Sequence, residues 1–272
     1  MHDDKCECKD LKIYPVKVNE DKLNVVDKYP LPKIPFFMVI LGRVAAGKSC
    51  ILNSLTLSPR FYRDDFQVKI LVSPTAESDP IMAHMVDHFD FVFTEYSGEL
   101  LTEIIEMVEN NEDGDRYLLV LDDAINEGFK QSKNGKVDKF SSLITKYRHI
   151  KNNFTDKEGQ LSIILTLQYF KYMSVITRTM AKGVIIAGEI SEKETKKISE
   201  AYDYFGGSSK RFMELYKKCR INPFDFAFLN VDTLEMRRNF DDEIVYSRKD
   251  EYNKMNKIED KKEEKETIDD NE

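Results

Sequence analysis

The chain has 272 residues, 41% hydrophobic, 11% aromatic and 33% charged, enough apolar material for a globular core and too much for an intrinsically disordered polypeptide. Its longest unbroken apolar run, Phe36 to Leu41, falls far short of the roughly 18 residues of a membrane span, and the polar start MHDDKCECKD is not expected to act as a secretory signal. A net charge of −8 argues against a protein that coats nucleic acid, but half of it lies in Lys249 to Glu272, where 6 Lys stand against 10 Asp and Glu.

Along the chain, residues 1–33 are polar, with prolines at 15, 30 and 32, and read as an extended arm laid over a domain. Cys6 and Cys8 lie in this arm. With only His2 nearby as a further ligand they are read as part of a polar terminus, not a metal site. The other cysteines, Cys50 and Cys219, form no CxxC pair, so a reducing compartment without a disulfide framework is expected.

From Pro35 onward, strand and helix alternate. Phe36 to Leu41 is an apolar strand ending at a glycine, and Lys48 to Leu57 follows at helical length. Gln67 to Val72 predicts a strand, Pro80 to Phe89 a helix, Phe91 to Tyr96 a strand and Leu100 to Val108 a helix. Tyr117 to Leu121 is a very apolar strand, Phe140 to Ile150 a helix and Leu161 to Leu167 a strand. Then come a helix over Tyr172 to Lys182, a strand over Gly183 to Ala187, and a helix over Ser191 to Tyr204 that opens like a capping box, with Ser191 and Glu194 three apart. Arg211 to Cys219 reads as helix and Phe226 to Val231 as a late strand. Apolar strands separated by helices predict a three-layer α/β fold, its mostly parallel sheet covered on both faces. The domain so outlined spans residues 34–248. Residues 249–272, rich in Lys, Glu and Asp, are expected to be a disordered tail.

Gly42-Arg-Val-Ala-Ala-Gly-Lys-Ser49 fits GxxxxGK[ST] and has the required setting, after an apolar strand and before a helix. Glycines let the backbone curl so that its N–H groups converge on a phosphate at a helix N-terminus. Gly42, Ala45, Ala46, Gly47, Lys48, Ser49 and Cys50 are therefore candidate nucleotide contacts, with Lys48 reaching the β- and γ-phosphates and Ser49 offering its hydroxyl to Mg²⁺. Asp122 and Asp123 directly follow Leu118 to Leu121. The first is the candidate metal partner, acting through water, and the second orients or deprotonates the attacking water. Two strand–helix units fit between Ser49 and Asp122, as in ATPases with an additional strand between the phosphate-loop and acidic strands. Thr166 and Gln168 share one face of their strand. Gln168 either meets the γ-phosphate or water there, or satisfies loop backbone groups. No NKxD segment that would read guanine is found.

With these residues in hand, the chain resembles the FtsK/HerA superfamily of P-loop ATPases, and within it the poxvirus-type genome-packaging ATPases of large double-stranded DNA viruses. The resemblance covers about residues 34–247. It rests on Gly42 to Ser49, Leu118 to Asp123, Arg148-His149 after a helix, Gln168 at a strand end, and Arg178 before the strand GVIIA. The family's second acid is often Glu, whereas Asp123 is one methylene shorter. The resemblance implies ATP hydrolysis with Mg²⁺ that drives duplex DNA into a capsid. It further implies a homo-oligomeric ring, usually a hexamer, with capsid or vertex proteins as partners, at work in the virion and the host-cell cytoplasm. A ring also implies a cation supplied across the subunit boundary, for which Arg148, slightly preferred, and Arg178 are candidates. Lys146 to Lys151, Lys210-Arg211, Lys217 to Arg220 and Arg237-Arg238 are candidate DNA contacts. A nucleotide kinase and a nucleotide-gated capsid assembly factor are the alternatives.

Overall fold

The computed structural model describes residues 25–123, 138–240 and 243–253. Cys6, Cys8 and His2, most of the expected arm, and all of the expected tail beyond Asn253 lie outside the described residues.

Among the described residues, nine strands form one sheet, in the order β3-β2-β4-β5-β1-β6-β7-β8-β9. The first six in sequence are β1 (Phe37–Leu41), β2 (Val68–Val72), β3 (Phe91–Phe93), β4 (Tyr117–Leu121), β5 (Leu161–Leu167) and β6 (Gly183–Ala187). They pair in parallel, which requires crossover connections long enough for a helix. The last three, β7 (Phe226–Asn230), β8 (Glu235–Arg238) and β9 (Glu243–Ser247), extend the sheet antiparallel.

Helices α1 (Lys48–Leu57) and α2 (Pro80–Val86) cover one face, against Met38, Ile40, Val120 and Ile164. The other face carries α3 (Gly98–Glu109), α4 (Lys139–Lys146), α5 (Val175–Met180), α6 (Glu192–Ala201) and α7 (Ser209–Lys218), against Val39, Leu119, Leu165 and Ile186. β1, β4, β5 and β6 are buried at every position, which is why they read as continuous apolar runs without alternation. The expected three-layer, mostly parallel α/β fold is what the chain adopts.

The sheet order refines one expectation. The strands between Ser49 and Asp122, β2 and β3, lie beyond β4. The strand set between β1 and β4 is β5, which comes later in the chain.

Local departures have local causes. The helix expected over 140–150 ends at Lys146 and closes in a 3₁₀ turn, Tyr147–His149. The helix expected from Tyr172 begins at Val175, because the Ser174 hydroxyl accepts from Thr177 N at 3.1 Å and fixes the start there. Helix α2 stops at Val86 and β3 has three residues. The capping box of α6 is half-formed. Ser191 Oγ accepts from Glu194 N at 3.3 Å, but the Glu194 carboxylate instead accepts from Phe170 N at 2.7 Å, tying α6 to the turn after β5.

The hairpin β8–β9 has no counterpart among the predicted strands. Arg237 in β8 is only 6% exposed, and its charge is paired with Glu235 at 3.0 Å and shared with the Tyr29 hydroxyl at 2.5 Å. Residues 25–35 lie against this part of the fold. Asn230 Nδ2 donates to Pro30 O at 2.8 Å, Tyr62 OH donates to Pro32 O at 2.8 Å, and Lys28 pairs with Asp65 at 2.7 Å.

Candidate functional site

The phosphate loop leaves the carboxyl end of β1 and delivers the chain into α1. Gly42 N donates to Leu167 O at 3.0 Å, so the loop starts level with the end of β5. A Cβ at Gly42 would stand 2.8 Å from Ala187 O, and only glycine fits. Ala45 and Gly47 take left-handed backbone angles, φ 61° and 87°. This is the turn that aims successive N–H groups inward, and glycine adopts it without strain. Lys48 is buried, its ammonium 3.4 Å from Arg43 O and 3.6 Å from Asp123 Oδ2.

The acidic pair is held by three hydroxyl and amide side chains. The register sets Leu121 opposite Leu165, so Asp122, one residue on, is level with Thr166. The Thr166 hydroxyl donates to Asp122 Oδ1 at 2.7 Å and accepts from Asp123 N at 2.9 Å. Ser73, at the end of β2, donates to Asp122 Oδ2 at 3.2 Å. Asp122 is 4% exposed. Burial raises its carboxyl above the usual range, while the Thr166 and Ser73 bonds and the Lys48 charge act in the opposite direction. Asp123, with φ 45°, turns the chain out of the strand and accepts from Gln168 Nε2 at 3.0 Å. Lys48, Asp122, Asp123 and Gln168 thus form one connected cluster above the carboxyl ends of β1, β4 and β5, the crevice where open α/β sheets bind ligands.

Sequence reasoning missed two contributors. Gly188, just after β6, has φ 66°, and a Cβ on it would lie 2.5 Å from the Ala46 Cβ. Its carbonyl accepts from the guanidinium of Arg220, which also donates to Tyr216 OH at 3.3 Å. A glycine directly after GVIIA was the available signal for the first. Arg220 offered none.

The two candidate arginines lie at opposite ends of the sheet. Arg148, in the 3₁₀ turn after α4, lines a cavity of about 270 Å³ with Ile34, Pro35, Lys182 and Asp232. These residues precede β1 and β6 or follow β7, so Arg148 belongs to the amino ends of the parallel strands. Arg178, in α5, has its guanidinium over the Phe170 ring at 4.2 Å, just beyond Gln168 and Tyr169, and its Nε is buried without a hydrogen-bond partner. Among the candidate DNA contacts, Arg237 and Arg220 are committed to the partners named above. Lys146, His149, Lys151, Lys210, Arg211, Lys217 and Lys218 are exposed. Among the described residues no cluster of three His, Cys, Asp or Glu side chains could by itself hold a metal ion, and no helix is long and apolar enough to cross a membrane.

A phosphate loop after β1, acids after β4, and β5 inserted between those strands define a P-loop NTPase fold of the additional-strand type. No protein-family profile and no curated protein matches the chain. Solved structures do. The genome packaging NTPase B204 from Sulfolobus turreted icosahedral virus 2, in complex with AMP, superposes with a TM-score of 0.55 at 14% identity, covering 75% of this chain and 96% of that one. Its complex with ATP-gammaS gives 0.53 at 15% identity, with the same coverage. B204 described as the DNA-packaging ATPase from Sulfolobus turreted icosahedral virus gives 0.50 at 16%, covering 75% and 97%. At these identities the likeness is one of fold.

Proposed function

We propose that the chain is an ATP-hydrolysing motor that translocates double-stranded DNA during viral genome packaging, acting as a homo-oligomeric ring. The single observation that carries the hydrolytic part is the cluster in which Lys48 lies 3.6 Å from Asp123 while Gln168 and Thr166 fix the two acids. A kinase needs a seat for a second substrate, whereas this cluster sets a carboxylate, an amide and an ammonium around one position, which suits water. In the proposed step, water adds to the γ-phosphorus as the bond to the β,γ-bridging oxygen breaks. Asp123 takes the proton of that water, Gln168 orients it, and Lys48 with the loop N–H groups holds the charge that builds on the phosphate oxygens.

The residues also fit Mg²⁺ of the kind that keeps several waters and binds through few protein oxygens plus substrate phosphates. Ser49 would ligate directly, and Asp122, with both oxygens already accepting hydrogen bonds, would act through water. Bound there, the metal would neutralise charge on the β- and γ-phosphates. The packaging role is supported by the fold shared with a viral packaging NTPase. The exposed basic side chains of α4, α7 and their flanks supply the phosphate contacts a DNA partner needs. Virion assembly sites in the host cytoplasm, with capsid or vertex proteins as partners, complete this reading.

The test is ATP hydrolysis by the purified chain with and without duplex DNA, combined with size-exclusion chromatography in ATP. DNA-stimulated turnover and an ATP-dependent oligomer are expected, with both turnover and stimulation abolished by Lys48→Ala and by Asp122→Ala. Hydrolysis indifferent to DNA by a chain that stays monomeric refutes the motor. ATP-dependent oligomers that never turn over would point to an assembly factor.

A further inference from the structure

Beside the phosphate loop lies a cavity of about 350 Å³ lined by residues 43–46 of the loop, Tyr169, Gly188, Glu189, Pro223 and Phe224. Two aromatic rings border it, and neither is used by the core. Phe224 is 82% exposed and Tyr169 40% exposed. The Phe224 ring is thus open to whatever enters the cavity it borders.

The segment carrying Phe224 is also firmly held. Asp225 Oδ2 accepts from Asn222 N at 2.9 Å, Ile221 N at 3.2 Å and Asn222 Nδ2 at 3.2 Å, while its Oδ1 accepts from Asn239 Nδ2 at 3.2 Å. Just upstream, Arg220 is bonded to the carbonyl of Gly188, in the wall of the same cavity. On the other side, the Lys171 ammonium lies 5.1 Å from the Tyr169 ring and 4.9 Å from that of Tyr172, stiffening the turn that follows Gln168. The result is a pre-formed slot with aromatic edges, continuous with a loop built to hold phosphates.

A nucleoside triphosphate seated by its phosphates on that loop must place its base within the reach of one ribose. A flat π-system stacked on an aromatic ring suits such a slot without demanding a particular hydrogen-bond pattern. We infer that Phe224, supported by Tyr169, is the seat of the nucleotide base, which for a purine offers the larger stacking area. The Glu189 carboxylate on the rim is the acceptor available to an exocyclic amine. This deepens the ATPase reading and rests on it. The rival occupant of the slot is a neighbouring copy of this chain.

The test is calorimetric titration of the full chain with ATP and, separately, with inorganic tripolyphosphate, both with Mg²⁺. Phe224→Ala should weaken ATP binding by about 5-fold or more and leave tripolyphosphate binding unchanged, while Phe224→Tyr keeps wild-type ATP affinity. Because Phe224 is almost bare, loss of folding does not confound the alanine variant. Unchanged ATP affinity in Phe224→Ala overturns the seat while the ATPase reading stands, and so does equal weakening of both ligands. If the variant instead loses only ATP-dependent oligomerisation, the slot belongs to a neighbouring subunit and the inference also fails. A wild-type chain that binds neither ligand overturns the phosphate loop itself, and the base seat with it.

Discussion

Thr166→Val separates the support of the acidic pair from the acids themselves. Valine keeps the shape and the strand preference of threonine but removes the hydroxyl that donates to Asp122 at 2.7 Å and accepts from Asp123 N at 2.9 Å. A hydrogen bond to a charged group contributes roughly 1.5–3 kcal/mol and a neutral one roughly 0.5–1.5 kcal/mol. Valine's more favourable burial returns on the order of 1 kcal/mol of this, so a net loss of about 1–3 kcal/mol is expected. For a domain of this size that is a fall in Tm of roughly 2–12 °C.

The loss should depend on pH in a definite direction. Burial raises the Asp122 carboxyl above its ordinary value, so the ionised group costs stability at pH values above the ordinary carboxylate range, and the protonated group below it does not. The Thr166 bond works against that burial. Removing it enlarges the cost at neutral pH and leaves the protonated state almost untouched. Differential scanning calorimetry over a series of falling pH values should therefore show the gap between wild type and variant narrowing towards the ordinary carboxylate range, down to the part owed to Asp123 N. A gap that stays constant down to the ordinary carboxylate range, or a Tm equal to wild type, refutes the assigned role of Thr166.

Gly188→Ala should impair nucleotide binding through the loop, since its Cβ would sit 2.5 Å from the Ala46 Cβ and its φ is 66°. Adding Ala46→Gly should recover part of the affinity in a binding titration by removing the closest contact, though the Ala46 Cα at 3.0 Å and the backbone strain of about 1–2 kcal/mol remain. Gln168→Ala should lower kcat by roughly 10- to 100-fold with little change in KM for ATP, because the amide positions Asp123 and does not hold the ground-state phosphates. Steady-state kinetics checks this, and a rise in KM alone would contradict it. Deleting residues 254–272 should leave ATP hydrolysis at wild-type rate, as the cluster is built entirely from residues that precede them.

The elements legible in the sequence are those whose character comes from their own residues. β1, β4, β5 and β6 are apolar from end to end because both faces are covered, and the phosphate loop announces itself through glycines demanded by backbone geometry. Asp122 and Asp123 were marked by their place after YLLVL. What stayed hidden depends on residues far apart in the chain. β8 reads as a polar segment because the burial of Arg237 is made possible by Glu235 and by Tyr29, the latter some 200 residues away in sequence. The packing of Gly188 against Ala46 is likewise set by the adjacency of β1 and β6, which only the sheet order reveals. Gln168 could be placed on the correct face by period-two alternation, yet its partner, Asp123, follows from β5 lying beside β4.

The position of the two arginines gives the ring proposal its sharpest geometric constraint. Rotation about a ring axis preserves height along that axis, so if the parallel strands run along it, a residue can complete a neighbour's site only from the carboxyl ends of the strands. Arg178 satisfies this, next to Phe170 and two turns of chain from Gln168, whereas Arg148 lies among residues that precede β1 and β6. The preference for Arg148 that the resemblance suggested therefore shifts to Arg178. Mixing Arg178→Ala subunits, intact at Lys48, with Lys48→Ala subunits, intact at Arg178, should restore hydrolysis in mixed rings, while the same mixture made with Arg148→Ala should show no such rescue. Rescue confined to the Arg148 mixture would mean that the strands lie across the ring axis instead of along it.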